Sequence, residues 1–137
     1  MNQVACDTSA AIPLLVRSHP EHTVVRGHFG ARRPVLTHQS LAETYSVLTR
    51  LPADARVTPQ DAVRLIESRF GEPLGPDTRA MSDLPRVLAS VGVAGGAVYD
   101  ALVALAARHG QVPLVTRDAR ALGTYAAIGV EIQLIAQ

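Results

Sequence analysis

The chain predicts an α/β fold, a three-layer arrangement in which helices cover both faces of a central, mainly parallel sheet of four or five strands. Three observations predict it. Short apolar runs alternate with helical patterns along the chain, as expected of strands joined by crossover helices. No low-complexity linker or internal repeat breaks that alternation, and 137 residues with 47% hydrophobic content suit a single domain over residues 1–137 with one core of ordinary size. Two of the apolar runs, Val4-Ala5-Cys6 and Pro113-Leu114-Val115-Thr116-Arg117, end at Asp7 and Asp118 just before helical patterns. Open α/β sheets place their ligands at such carboxyl ends of strands.

The elements follow in order. After the strand ending at Asp7, Thr8 or Ser9 is placed to cap a helix over residues 8–18. A second helical stretch covers residues 21–29 and stops near Gly30. Pro34-Val35-Leu36-Thr37 reads as the second strand, and a helix over residues 39–50 follows it and ends before Pro52. Thr58-Pro59-Gln60-Asp61 is a strong helix start, with proline at the first helical position, and Gly71 marks the stop. Residues 72–78 hold two prolines and a glycine, so any strand there is short. Ser82 or Asp83 then begins a helix reaching Val91, and a Gly-rich turn over residues 92–96 introduces the long helix from Ala97 to His109. Beyond Asp118 a helix covers residues 119–128, Gly129 ends it, and residues 130–135 form a last strand.

Composition narrows the classes of function. No apolar run approaches the roughly 18 residues of a membrane span, and the N-terminus enters a strand without a basic region and apolar signal core, so the expected location is cytoplasmic. The single cysteine, Cys6, lies inside the first strand and reads as a buried structural thiol. All 13 basic residues are arginine. Arginine's planar fork suits bidentate phosphate contact, which fits a polyanionic ligand, although the base composition of a genome produces the same bias. The glycines at positions 92, 95 and 96 lack the Gly-Lys-Ser/Thr of a nucleotide-binding loop, and the five histidines show no zinc-ligand spacing with cysteine.

Four acids carry the chemical argument. Asp7 and Asp118 sit at strand ends, while Glu43 and Asp100 lie early on helices entered from that same edge of the sheet. Asp100 has Gly96, Ala97, Val103 and Ala104 at three- and four-residue spacing, a small apolar stripe that should face the interior. An ionised group left there without a partner costs several kcal/mol, and the chain has no lysine to offer. A hydrogen-bonded structural aspartate or an arginine pair would also satisfy Asp100, and helix capping would satisfy Asp7 and Asp118. Carboxylates gathered together repel unless a positive charge sits between them, and an all-oxygen cage selects magnesium or manganese over zinc.

These residues also carry a resemblance. Asp7-Thr8-Ser9-Ala10 at the N-terminus, Glu43 in Leu41-Ala42-Glu43-Thr44, Tyr99-Asp100-Ala101-Leu102 opening the long helix, and Thr116-Arg117-Asp118 after the late strand together resemble a PIN-domain ribonuclease. Size and spacing most resemble the VapC toxins of bacterial toxin-antitoxin pairs. The resemblance spans essentially the whole chain, apart from residues 72–96, which match nothing specific. It implies hydrolysis of RNA phosphodiesters with Mg2+ or Mn2+, leaving a 5′-phosphate and a 3′-hydroxyl. Asp7 and Asp100 would be direct ligands and Asp118 a direct or water-mediated one, with Glu43 as a ligand or as the group that orients or deprotonates water. Thr8, Ser9 and Thr116 would support these acids, and Arg117 would contact phosphate or remain solvated. A homodimer and a small VapB-like antitoxin are further implications. A catalytically inactive PIN-like module that binds RNA or a partner is the alternative, although all four acidic positions of the pattern are filled.

Overall fold

The computed structural model describes residues 2–136. Its strands are β1 (Gln3–Cys6), β2 (Arg33–Leu36), β3 (Leu114–Thr116) and β4 (Ile132–Leu134), joined in the order β2-β1-β3-β4 and parallel at every pairing. Side chains on a strand alternate between faces. Accordingly Val4, Cys6, Leu36 and Val115 enter one apolar cluster, while Ala5, Val35 and Leu114 enter another.

The first cluster is completed by α1 (Thr8–Leu15), α2 (His22–Phe29), α3 (His38–Thr49) and α4 (Pro59–Arg69). Two short helices, α5 (Thr78–Ser82) and α6 (Leu84–Ser90), precede the long α7 (Ala97–His109), and α8 (Leu122–Ile128) follows β3. The second cluster takes Leu88 from α6, Ala101 to Ala107 in large part from α7, and Tyr125 and Ile128 from α8. The expected three-layer α/β/α arrangement therefore holds, with a sheet that is wholly rather than mainly parallel. Burial of α7 inside this chain accounts for its alanine-rich, apolar character without any second surface.

Several boundaries depart from the sequence expectation for local reasons. Asp7, not Thr8 or Ser9, caps α1, accepting from the backbone N–H of Ala10, and the helix ends at Leu15 rather than continuing to residue 18. Pro13 lies within it and cannot donate to the carbonyl of Ser9, and the Arg117 guanidinium donates to that carbonyl instead, at 3.3 Å. Thr37 closes a capping box with Ser40 and so begins α3 rather than ending β2.

Residues 72–78 form no strand. Leu74 alone bridges to Thr37, with its N–H 2.8 Å from the Leu36 carbonyl and its carbonyl 2.9 Å from the His38 N–H. Pro73 and Pro76 flank it and bring no donors to extend a ladder. The helix expected from residue 82 or 83 to Val91 is α6, begun at Asp83 with Pro85 in its first turn, and a short helix not expected from the sequence, α5, precedes it. The last helix opens as a 3-10 turn over Ala119–Ala121 and stops at Gly129, whose φ of 89° suits a residue without a Cβ. No helix among the described residues is long and apolar enough to cross a membrane.

Candidate active site

Parallel strands bring their carboxyl ends to one edge, and the four acids meet there. Asp7 follows β1 directly, and its N–H donates to the Val115 carbonyl of β3 at 3.2 Å, fixing it beside the end of that strand. Asp7 as a whole is 6% exposed. Its Oδ1 accepts from Ser9 Oγ at 2.6 Å and from the Ala10 N–H at 3.3 Å. Oδ2 accepts from Thr116 Oγ1 and from the Tyr125 hydroxyl, the latter at 2.7 Å. A carboxylate has about four lone-pair sites, and all of them are engaged.

The supporting residues link β3 to β1. The Asp118 N–H donates to Thr116 Oγ1 at 3.0 Å, and the Arg117 N–H donates to Ser9 Oγ at 2.8 Å. Thr116 and Ser9 thus stand between Asp7 and the loop that carries Asp118. Arg117, expected to contact phosphate or solvent, has a guanidinium nitrogen committed to the Ser9 carbonyl. Thr8 faces away from this network and toward α3, with its hydroxyl 3.3 Å from Thr44 Oγ1, so it fixes the helix that carries Glu43.

Tyr125 is a site residue that sequence reasoning does not single out. It shares helical spacing with Ala121 and Ile128 and reads there as core, and it is indeed buried. A buried tyrosine still needs a partner for its hydroxyl, which is the one signal the sequence offers. Burial and then the Asp7 carboxylate push the phenol far above its ordinary range, so it remains a proton donor. Gln39 escapes sequence reasoning too: its side-chain amide donates to Glu43 Oε1 at 2.7 Å, a pair one helical turn apart.

The other three acids form a more open rim. Glu43 lies in the second turn of α3 and is half-buried. Asp118 caps the 3-10 turn by accepting from the Arg120 N–H at 3.0 Å, and the exposed Arg120 side chain reaches only to 3.7 Å from it. Asp100, expected in the interior, is half-buried at the boundary, with Val103 and Ala104 beneath it taking the fully buried positions. Burial raises its pKa, and Asp118, Glu43 and Asp7 raise it further, in that order. Each of the other three acids is therefore near enough to repel Asp100, and no cation is among the influences on it.

The donor set is all oxygen, half solvated and short of positive charge, which fits a hard divalent cation. Among the described residues, however, no three acids gather tightly enough to form a ready cage. Cys6, directly below Asp7, does not compete as a ligand, since burial and then Asp7 push its thiol well up.

A sheet of this order with four acids converging at its carboxyl edge is a defined class: the chain belongs to the PIN-domain family, which it matches over residues 4–127. Within that class it is 54% identical over 133 residues to Ribonuclease VapC27 of Mycobacterium tuberculosis, strain ATCC 25618 / H37Rv, with 97% of each chain covered. It is 35% identical to Ribonuclease VapC40 of M. tuberculosis, strain CDC 1551 / Oshkosh, over 96% of this chain and 98% of that one. In fold it is similar to VapBC2 from Rickettsia felis, solved bound to a DNA fragment from its promoter, with a TM-score of 0.67, 13% identity and coverage of 97% and 98%.

Proposed function

We propose that this chain is a VapC-type endoribonuclease, the toxin of a toxin-antitoxin pair, which hydrolyses RNA phosphodiesters at the four-acid edge with Mg2+ or Mn2+. The observation that carries the site is the placement of Asp118, Glu43 and Asp7 near enough to act on the half-buried Asp100 carboxyl, whose pKa is raised by burial first and then by these three acids. Near full-length identity of 54% to a protein named as a ribonuclease supports the activity.

Asp7, Asp100 and Asp118 would hold the ion. When bound, it supplies charge neutralisation at the phosphate and lowers the pKa of a water. The protein's own residues do the rest. Tyr125 and Thr116 keep Asp7 aimed, and Ser9 couples it to the Asp118 loop. Glu43, held by Gln39, orients the attacking water or takes its proton. The saturated Asp7 carboxylate must release one of its four donors to bind an ion, and the 3.3 Å bond from Ala10 is the weakest of those with a stated length.

Cleavage of RNA that requires Mg2+ or Mn2+ and is lost in Asp100→Asn tests this reading, and an Asn variant as active as wild type would discard the assignment. One observation favours the alternative of an idle binding module, namely that no three acids among the described residues are gathered into a cage. Calorimetric titration with Mn2+ combined with RNA cleavage decides between them, since an idle module cuts no RNA whether or not it takes up the ion.

An antitoxin partner is supported by the similarity to a VapBC complex. A cleft of about 710 Å3 between α3 and α4, walled by Leu41, Tyr45, Val63, Ile66 and Phe70, offers apolar surface for it beside the helix that bears Glu43. Homodimerisation and a cytoplasmic location are further parts of the proposal. Light scattering of the purified chain, which must give twice the chain mass, tests the first, and cell fractionation tests the second.

A further inference from the structure

Away from the acids, the carboxyl ends of α1 and α4 and the His22–Arg26 stretch of α2 line one small pocket. Its walls include Arg17, His22, Arg26 and Arg69, set on Leu14 and Leu65, and no carboxylate lines it. Its volume of about 130 Å3 is that of about four water molecules, which suits a phosphate group better than a peptide helix. Arg26 and Arg69 occupy the last turns of α2 and α4, and Arg17 lies two residues beyond the end of α1. Helix ends alone would explain one arginine each, because a carboxyl end carries about half a negative charge. The two helix ends at the pocket, those of α1 and α4, leave most of the charge of three guanidiniums uncancelled. The two ion pairs found among the described residues, Arg64–Asp61 and Arg120–Asp118, involve none of them.

The pocket is connected to the acidic edge. α1 starts at Asp7 and runs eight residues, so its far end lies roughly 12 Å away by helical rise. His19, in the turn between Arg17 and His22, has its pKa lowered by burial first, then by Arg117 at the acidic site, with Glu21 opposing and His22 adding. His19 thus lies near enough to both Arg117 and His22 to be influenced by each. His22 donates from Nδ1 to the Pro13 carbonyl at 2.7 Å, which anchors the ring to α1 and leaves Nε2 for a ligand.

We propose that Arg17, His22, Arg26 and Arg69 form a second RNA-backbone site, which grips phosphates of the substrate a short distance from the bond that is cut. The proposal rests on the ribonuclease reading for the identity of the polyanion. It assigns the acids to chemistry and this pocket to holding the strand, so that net attraction for RNA survives beside a repulsive acidic centre.

The test is fluorescence anisotropy with metal-free full-length protein and two labelled single-stranded RNAs, one long enough to span both regions and one too short to do so. Wild type and the variant Arg17→Gln/Arg26→Gln/Arg69→Gln are compared across a salt series. The expected result is at least tenfold weaker binding of the long RNA by the variant. Its plot of log affinity against log salt should be shallower by about 0.7 for each phosphate that is no longer neutralised. The short RNA should bind both proteins equally, and the corresponding triple Lys variant should restore the slope. Arg26→Glu alone, at an exposed position, must move in the same direction, which keeps the test valid if the triple variant is unstable. An unchanged slope for the long RNA overturns the proposal, even if the melting temperature falls. If wild type cuts no RNA with Mg2+ or Mn2+ yet the slope difference is present, the ribonuclease reading fails and the phosphate pocket stands.

Discussion

The floor and the rim of the acidic site are built on opposite principles. At the floor, Asp7 is buried and both of its oxygens are filled by Ser9, Ala10, Thr116 and Tyr125. At the rim, Asp100 is half-buried, and the influences on it are burial and repulsion from three other acids. A buried carboxylate with four donors stabilises the fold, whereas an unpaired one facing like charges weakens it. The comparison separates structure from readiness for a cation: the floor is complete without one, and the rim is not.

The largest effect that sharpens this contrast is loss of RNA cleavage in both Asp7→Asn and Asp100→Asn, read on a gel with Mg2+ or Mn2+ present. Stability should then divide the two. Asp7→Asn turns an NH2 group toward donors that need an acceptor, and urea denaturation should show a loss of about 1 to 3 kcal/mol. Asp100→Asn removes repulsion and should melt at or slightly above the wild-type temperature without metal. Equal destabilisation of the two would break the comparison.

Next in size is Tyr125→Phe, which deletes one bond to an ionised group, worth about 1.5 to 3 kcal/mol by denaturation. If Tyr125 also orients Asp7, Mn2+ affinity should fall by more than it does for a volume-matched change elsewhere in α8.

A smaller effect concerns pH. The Asp100 pKa is raised in the folded state, so its contribution is fully present below the unfolded value of about 3.9 and is lost as pH rises through the higher folded value. Metal-free protein should therefore lose some stability across the carboxylate range as pH rises. Asp100→Asn should flatten that loss, and saturating Mn2+ should reverse it. Thermal melts from acid to neutral pH measure all three. Smallest of all, Arg120→Ala removes an exposed pair at 3.7 Å and should shift stability by less than about 1 kcal/mol.

The strand ends are the most legible part of the site in the sequence. Asp7 and Asp118 can be placed because strands and their ends follow from short apolar runs, and β1, β3 and α7 lie close to where periodicity puts them. Legibility fails where one residue's role is set by a distant one. Asp7 takes the cap of α1 from Thr8 and Ser9 because Ser9 is held by the Arg117 N–H, 108 residues along the chain. Tyr125 looks like core because its packing follows helical spacing while its hydroxyl bond spans 118 residues. Residues 72–91 resist for a different reason. Pro73, Pro76 and Pro85 erase backbone donors, so the choice among bridge, turn and helix falls to packing against α3 and α7.

The central position of β1 has a consequence for synthesis. The first strand to leave the ribosome waits for β3, whose Thr116 lies 109 residues beyond the Asp7 it must meet, and Tyr125 arrives later still. The acidic edge therefore assembles only once almost the whole chain has been translated. Ribosomes stalled before residue 114 should carry chains that cut nothing.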